Sequence, residues 1–214
     1  MPQILLVRHG QASWDADEYD VLSPAGSAQS SLLGASLAAL SPSTVVTGSM
    51  RRHRDTASIA VSTAGWSVVP TVDPGWDEFD HLDVLGRFPA PYDAKRTPAR
   101  FQAWFESAQR RWTDGAHDDE YAEPFGTFRA RVEEAVRRLV DSVDGTGVVV
   151  TSGGPIAVVA AALLDPDRVA DLFFRLNPVL TNASVTKLVV GRRGVTLSTY
   201  NEHTFLPADQ VTYR

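Results

Sequence analysis

The stretch Ile4-Leu5-Leu6-Val7-Arg8-His9-Gly10 decides how this chain folds. Its four consecutive large apolar residues are too few for a helix and are typical of a strand buried on both faces of a parallel sheet. The apolar run then stops at Arg8, His9 and Gly10, where the strand reaches its carboxyl end. Ligands of open α/β sheets bind at the carboxyl ends of the strands, so a cation, an imidazole and a small residue there favour an anion site. The alternative for this tripeptide alone is a strand end with two solvated polar side chains.

The composition limits the classes of protein to which the chain can belong. With 214 residues, 43% of them hydrophobic, the chain can bury one sizeable core, and we predict a single domain over residues 1–214. The chain contains no cysteine, which excludes disulfides, thiolate metal sites and cysteine nucleophiles. The net charge of −6 argues against a nucleic acid or a membrane as partner. A small phosphorylated ligand needs only a few local cations and remains compatible with this charge.

The hydropathy pattern predicts a cytoplasmic protein. The longest apolar run, residues 155–164, is well short of the roughly 20 residues that span a bilayer. The first residues also lack the basic region and the apolar segment of a secretory signal.

Apolar periodicity predicts alternating strands and helices. The predicted strands cover residues 4–7, 44–47, 67–72, 148–150, 185–190 and 195–200. The predicted helices cover residues 24–40, 56–64, 98–112, 124–143, 156–164 and 168–176. Residues 74–119 are otherwise irregular, and we interpret them as an insertion that could form one wall of a site.

This order of elements predicts an α/β fold, a three-layer α/β/α sandwich with a mostly parallel central sheet. The hairpin formed by the last two strands is expected to give the sheet an antiparallel edge. An exposed strand of that hairpin could pair with a second copy of the chain, so a homodimer is one expected option.

Three predicted strand ends carry residues suited to an anion. They deliver Arg8-His9-Gly10, Arg51-Arg52 and Ser152-Gly153-Gly154, which a parallel sheet brings to one edge. Guanidinium groups and a glycine-rich helix start together favour a phosphate. A neutral imidazole can accept a phosphoryl group, and the ordinary histidine pKa of about 6.5 leaves His9 neutral near pH 7.

The order and spacing of these motifs resemble the histidine phosphatase superfamily, also called phosphoglycerate mutase-like. The resemblance rests on Leu6-Val7-Arg8-His9-Gly10, on Leu22-Ser23-Pro24 with Gly26 and Gln29, and on Ser49-Met50-Arg51-Arg52 with Thr56-Ala57. It implies that His9 is the phosphorylated nucleophile and that Arg8 and Arg52 clamp the phosphoryl oxygens. Arg52 fits better than Arg51 because it precedes Thr56 by four residues, as in the family pattern.

The same resemblance places a general acid after the third strand. Glu78, in Trp76-Asp77-Glu78-Phe79-Asp80, fits this position best, with Asp77 and Asp80 as alternatives. An acid here would protonate the leaving oxygen and then activate water, which typically contributes 10² to 10⁴ in rate. His53, His81, His117 and His203 have no motif support and are expected to be surface histidines.

The chain departs from the family pattern at three positions. Ser152 stands where the family usually has a second histidine before Gly-Gly, and a hydroxyl in place of a charged donor should cost on the order of 1 to 3 kcal/mol, roughly 10 to 100-fold in rate. If Ser152 merely under-fills that site, Ser152→His is expected to raise turnover. Ala12 stands where a hydroxyl residue is common, and Ser13 could supply that hydroxyl. Asp15 stands where mutases use asparagine, which argues against a second phosphate.

We therefore expect a metal-independent phosphatase that hydrolyses a small phosphorylated substrate through phospho-His9, without a cofactor. Ser13, Ser152 and Gly153 are expected to join Arg8 and Arg52 in binding the substrate. The first alternative is a catalytically impaired member that binds phosphorylated ligands. Less favoured are a phosphoglycerate mutase and a serine hydrolase that uses Ser152 with Asp171 and His203, because Val150-Thr151-Ser152-Gly153-Gly154 lacks the first glycine of G-x-S-x-G.

Overall fold

The computed structural model describes residues 1–13, 20–92 and 97–213. The strands are β1 (Gln3–Arg8), β2 (Thr44–Thr47), β3 (Thr71–Val72), β4 (Thr146–Thr151), β5 (Val185–Gly191) and β6 (Gly194–Glu202). The helices are α1 (Pro24–Leu37), α2 (Arg51–Ala64), α3 (His81–Gly86), α4 (Pro98–Thr113), α5 (Phe125–Ser142), α6 (Gly153–Leu164) and α7 (Val169–Leu176). The chain divides into two compact units, Met1–Glu78 with Val132–Arg214, and Phe79–Arg131.

The first unit contains a six-stranded sheet in the order β3-β2-β4-β1-β5-β6. The strands β3, β2, β4 and β1 run parallel, and β5 and β6 pair antiparallel at one edge. This confirms the predicted α/β fold with a mostly parallel central sheet and an antiparallel hairpin. The arrangement places β1 in the middle of the sheet, between β4 and β5.

The core of this unit lies on both faces of β1. Leu5 and Val7 belong to a buried cluster with Leu33 of α1 and Ala57 of α2. Ile4 and Leu6 alternate with them and are also buried, as expected for the opposite face of a strand. On that side α6 contacts β1, and all of its residues from 153 to 161 are buried. The continuous apolar run therefore specifies a strand covered by helices on both sides, which completes the three layers.

Several predicted boundaries were wrong, including the start of α2, which lies at Arg51 and not at residue 56, and one short helix was missed. The third strand is only Thr71–Val72, not residues 67–72, since Pro70 lacks the N–H that a ladder needs and the strand lies at the sheet edge. The helix predicted to reach Leu40 ends at Leu37. The short helix α3 was not predicted, although Asp80 caps it by accepting hydrogen bonds from the N–H groups of Leu82 and Asp83.

The second unit has an aromatic core of its own. The ring of Trp112 lies 4.7 Å from that of Phe79 and 5.1 Å from that of Phe125, centroid to centroid. The Trp112 indole N–H donates to the carbonyl of Glu123 at 2.8 Å. These contacts make the aromatic side chains at the start of α5 core residues, as their helical spacing predicts. The single domain predicted for residues 1–214 stays a prediction.

No described helix combines the length and the apolar character that crossing a bilayer requires.

Candidate active site

Three neighbouring chain segments meet at the carboxyl edge of the parallel strands. The register pairs Arg8 of β1 with Thr151 of β4, and Thr47 of β2 with Val150 of β4. The His9 N–H donates to the Thr151 carbonyl at 2.8 Å, which extends this pairing by one residue. The residues that follow β1, β2 and β4 therefore lie side by side, as the sequence predicts.

His9 is buried, and both of its ring nitrogens have partners. The Nδ1 atom lies 2.7 Å from the carbonyl oxygen of Gly10, and the Nε2 atom lies 3.2 Å from Nε of Arg52. A carbonyl can only accept and a guanidinium can only donate, so Nδ1 carries the proton and Nε2 carries the lone pair. Burial lowers the pKa of His9 well below its ordinary value. The positive charge of Arg52, the neighbouring ring of His53 and the positive charge of Arg8 lower this pKa further, and the hydrogen bond to Gly10 opposes them. The neutral ring thus presents a nucleophilic nitrogen to Arg52.

Arg52 is the cation that contacts His9. It lies in the first turn of α2 with 8% of its side chain exposed, and its Nη1 atom donates to Oδ1 of Asp20 at 2.8 Å. The other carboxylate oxygen of Asp20 accepts from the N–H of Arg51 at 2.7 Å. The side chain of Arg51, in contrast, is half exposed and pairs with Asp55. Sequence reasoning missed Asp20, because no motif links Asp20 to the start of α2.

Arg8 lies beside the helix start that follows β4. A Cβ atom added to Gly153 would lie 3.8 Å from Nε of Arg8 and 2.6 Å from Oδ1 of Asn177. Position 153 therefore admits only glycine without a shift of Asn177. The Nη1 atom of Arg8 donates to the carbonyls of Leu180 and Tyr213. The contact with the C-terminal segment was not predicted.

The three candidate acids have different partners. Oε2 of Glu78 accepts from the N–H of Gly154 at 3.1 Å, in the first turn of α6, beside Ser152. Asp77 accepts from the N–H and the hydroxyl of Ser49, and so fixes the loop between β2 and α2. Asp80 caps α3. Among these three carboxylates, Glu78 contacts the backbone next to Ser152, within the Ser152-Gly153-Gly154 turn.

Ser152 contacts a histidine that was predicted to lie on the surface. Its Oγ atom lies 2.7 Å from Nε2 of His53 and 3.5 Å from Nη2 of Arg52. His53 is 0% exposed, and its ring centroid lies 5.6 Å from that of His9. The prediction of a surface residue was wrong because His53 shares the buried face of α2 with Thr56, Ala57 and Ala60. That helical spacing was the available signal.

The remaining candidates lie elsewhere. The Ser13 N–H donates to the carbonyl of Val21, and a substrate contact of its side chain stays a prediction. Asp15 lies outside the described residues. His81, His117 and His203 are all partly exposed, and His117 pairs with Glu120. Within the described ranges, no group of three or more His, Cys, Asp or Glu side chains is arranged to hold a metal ion.

A sequence model of one protein family matches nearly the whole chain. The model describes the histidine phosphatase superfamily, branch 1, and it matches residues 4–203. The chain belongs to this superfamily. No curated protein matches the sequence.

Solved structures support the histidine phosphatase fold. Phosphoglycerate mutase from Bacillus anthracis str. Sterne is 17% identical, with a TM-score of 0.69, and the match covers 95% of this chain and 94% of that one. Mycobacterial hydrolase 1 is 28% identical with a TM-score of 0.67, covering 93% and 97%. Mycobacterial glucosyl-3-phosphoglycerate phosphatase, solved with VO3, is 25% identical with a TM-score of 0.67, covering 94% and 99%. The structures similar to this chain thus include both a mutase and a phosphatase.

In the described part of the chain, the side chains of Ser152, Asp171 and His203 do not form the hydrogen bonds of a serine hydrolase triad. The partners of the Ser152 hydroxyl in the described part of the chain are His53 and Arg52. Asp171 pairs with Arg168, and Nδ1 of His203 lies 2.6 Å from the carbonyl of Asn201. The three residues of the proposed triad therefore have separate partners.

Proposed function

We propose that the protein is a metal-independent phosphatase that hydrolyses a small phosphomonoester through a phosphohistidine on His9. The observation that carries this proposal is the single tautomer of His9, with its lone pair on the buried Nε2 atom beside Arg52. Membership of the histidine phosphatase superfamily supports the same activity, and so does the similarity to a phosphatase of known structure.

In the first step, Nε2 of His9 attacks phosphorus and the ester oxygen leaves. The guanidinium of Arg52 already lies 3.2 Å from the attacking nitrogen, so a small movement lets it turn from the imidazole to a phosphoryl oxygen. Arg8 would add a second positive charge from the side of Gly153. Both cations stabilise the charge on the equatorial oxygens as the bond to the leaving group breaks.

Glu78 would act as the general acid in the first step and as the general base in the second. In its protonated form it gives a proton to the leaving oxygen, which departs as an alcohol. The resulting carboxylate then takes a proton from water, whose oxygen attacks phosphorus and releases inorganic phosphate and neutral His9. The hydrogen bond from the Gly154 N–H holds this carboxylate at the start of α6, where the helix dipole also favours a phosphate.

One observation favours the alternative of a binding protein with little turnover. Ser152 provides a neutral hydroxyl where the family pattern has a histidine, which weakens the stabilisation of developing charge. The two functions differ in whether His9 becomes phosphorylated.

The test is hydrolysis of p-nitrophenyl phosphate between about pH 5 and 8 with a chelator present, for the native chain, His9→Ala and His203→Gln. We expect chelator-resistant turnover in the native chain and in His203→Gln, whose imidazole contacts the Asn201 carbonyl. His9→Ala should lose this turnover by 10³-fold or more, because the nucleophile is gone. A native chain that binds orthophosphate but neither turns over nor forms phosphohistidine would establish the binding function instead.

A further inference from the structure

His53 is a buried imidazole with no assigned role in the proposed phosphoryl transfer through His9. It follows Arg52 in the first turn of α2, is 0% exposed, and places Nε2 at 2.7 Å from the hydroxyl of Ser152. The backbone makes room for it, because a Cβ atom on Gly48 would collide with Nδ1 of His53 and lie 2.7 Å from Oδ1 of Asp77. The end of β2 is therefore shaped around this ring.

The surroundings of His53 determine where its proton lies. Its Nδ1 atom is buried without a hydrogen-bond partner among the described residues. A buried N–H without an acceptor is rarer and costlier in proteins than a bare acceptor. Burial, and then the charge of Arg52, lower the pKa of His53 well below its ordinary value, so the ring carries one proton. That proton belongs on Nε2, where the oxygen of Ser152 accepts it.

This assignment also fixes the hydroxyl proton of Ser152. The Oγ atom accepts from Nε2 of His53 and, at 3.5 Å, faces Nη2 of Arg52. Both neighbours are donors, so the hydroxyl cannot donate to either of them. Its own proton is left for a third group on the side of Arg52.

We propose that His53 is a positioning residue of the phosphoryl-transfer site, which holds Ser152 so that the hydroxyl donates to a phosphoryl oxygen bound by Arg52. The proposal rests on the proposed function. In it, the pair of His53 and Ser152 takes the place of the single histidine that the family pattern has before Gly-Gly. The imidazole comes from α2 and not from the end of β4.

The arrangement changes the expected effect of Ser152→His. The space beside position 152 already contains the His53 ring, with Nε2 only 2.7 Å from Oγ, so a second imidazole would overlap with it. Ser152→His alone should therefore lower turnover. The combined change His53→Ala with Ser152→His restores one imidazole and should recover activity to within several-fold of the native chain.

The experiment measures kcat and KM for p-nitrophenyl phosphate in the native chain and in two sets of variants. The first set is His53→Gln, Ser152→Ala and the double variant that combines them. The second set is His53→Ala, Ser152→His and the exchanged pair that combines them. If the pair acts as one unit, each single variant loses roughly 10-fold or more in kcat, and the double variant is no worse than Ser152→Ala. The exchanged pair should exceed both of its single changes. Any of three results would overturn the proposal. The fold-losses in kcat of the two single variants could multiply in the double variant, His53→Gln could keep native activity, or the exchanged pair could be inactive. His203→Gln is the control for loss of a histidine elsewhere.

Two further measurements keep this inference separate from the proposed function and from folding. If the native chain shows no His9-dependent turnover, the proposed function fails, and the same variants are compared for binding of orthophosphate. Weaker binding in both single variants without further loss in the double variant supports the pair, whereas equal binding overturns it. The ¹⁵N shifts of the His53 ring in the native chain need no variant. Protonated Nε2 supports the proposal, and protonated Nδ1 overturns it.

Discussion

At the scale of single residues, the site is defined by which atoms can donate and which can accept. His9 lies between a carbonyl and a guanidinium, and these partners permit one tautomer. Ser152 lies between two donors, which directs its proton away from both. The chemistry of the site therefore follows from hydrogen-bond partners that are fixed before any substrate binds.

Glu78 gives a prediction at this scale. In Glu78→Gln the activated leaving group of p-nitrophenyl phosphate still departs, but no base remains to activate water. We expect a burst of about one equivalent of p-nitrophenolate, accumulation of phospho-His9 and a slow phase reduced by about 10² to 10⁴. Stopped-flow absorbance measures the burst and the slow phase, and acid-labile phosphate measures the phospho-His9 that accumulates.

Asp77→Asn is the matched control for this prediction. Asp77 accepts the hydrogen bonds of Ser49 that fix the loop between β2 and α2, so its loss should lower stability without producing a burst. A burst in Asp77→Asn with normal kinetics in Glu78→Gln would make Asp77 the acid.

The sequence predicted the residues of the site better than their contacts. His9, Arg52 and the Ser152-Gly153-Gly154 turn follow strands whose apolar runs mark their ends, and the structure brings them together. The contacts of Asp20 with Arg52 and of His53 with Ser152 were missed, although helical spacing does indicate that His53 lies on the buried face of α2. Neither contact is local in sequence, and no spacing rule reports it.

At the scale of elements, α1 connects the end of β1 to the C-terminal segment through Gln29. This side chain is 0% exposed. Its Oε1 atom accepts from the N–H of Gln11 at 2.8 Å, and its Nε2 atom donates to the carbonyl of Gln210 and the hydroxyl of Thr212, each at 2.8 Å. The next residue, Tyr213, accepts from Arg8. One glutamine thus anchors the segment that contacts a site arginine.

Gln29→Ala is expected to destabilise the protein by about 2 to 4 kcal/mol, because it leaves buried backbone groups unpaired and opens a cavity. Urea unfolding followed by circular dichroism measures the change. Gln102→Ala is the control, because the exposed Gln102 side chain bonds only Glu106 in its described contacts, and a change within about 0.5 kcal/mol is expected. Equal effects of the two substitutions would show that the anchoring role of Gln29 is wrong.

The positions of the buried strands were easier to predict from the sequence than those of the elements at the edge of the sheet or held by a single cap. β1 and β4 are continuous apolar runs because both faces are covered, and their positions were predicted. β3 and α3 depend on an edge position and on a single capping side chain, which periodicity does not detect.

At the scale of the whole molecule, two buried neutral histidines couple stability to pH. Both His9 and His53 have a pKa lowered well below the ordinary value of 6.5. In the unfolded chain they take up protons as the pH falls through about 6.5, whereas the folded protein does not. The unfolded state then binds more protons than the folded state, so the free energy of unfolding decreases as the pH decreases below about 6.5. The loss should approach about 1.4 kcal/mol per pH unit for each histidine.

Urea unfolding at pH 7.5, 6.5 and 5.5 tests this linkage. His53→Gln should have a smaller pH slope than the native chain, whatever its absolute stability. Gln102→Ala, which removes no titratable side chain, should keep the native slope. An unchanged slope in His53→Gln would mean that this ring is protonated in the folded protein.

The imidazole supplied by α2 also constrains how such a site can change during evolution. Residues 53 and 152 share a space that holds one imidazole ring. A lineage that moves the ring from one segment to the other must pass through a protein with two colliding rings or with none. The second route is open only while reduced activity is tolerated, so positions 53 and 152 are expected to vary together among descendants of a common ancestor.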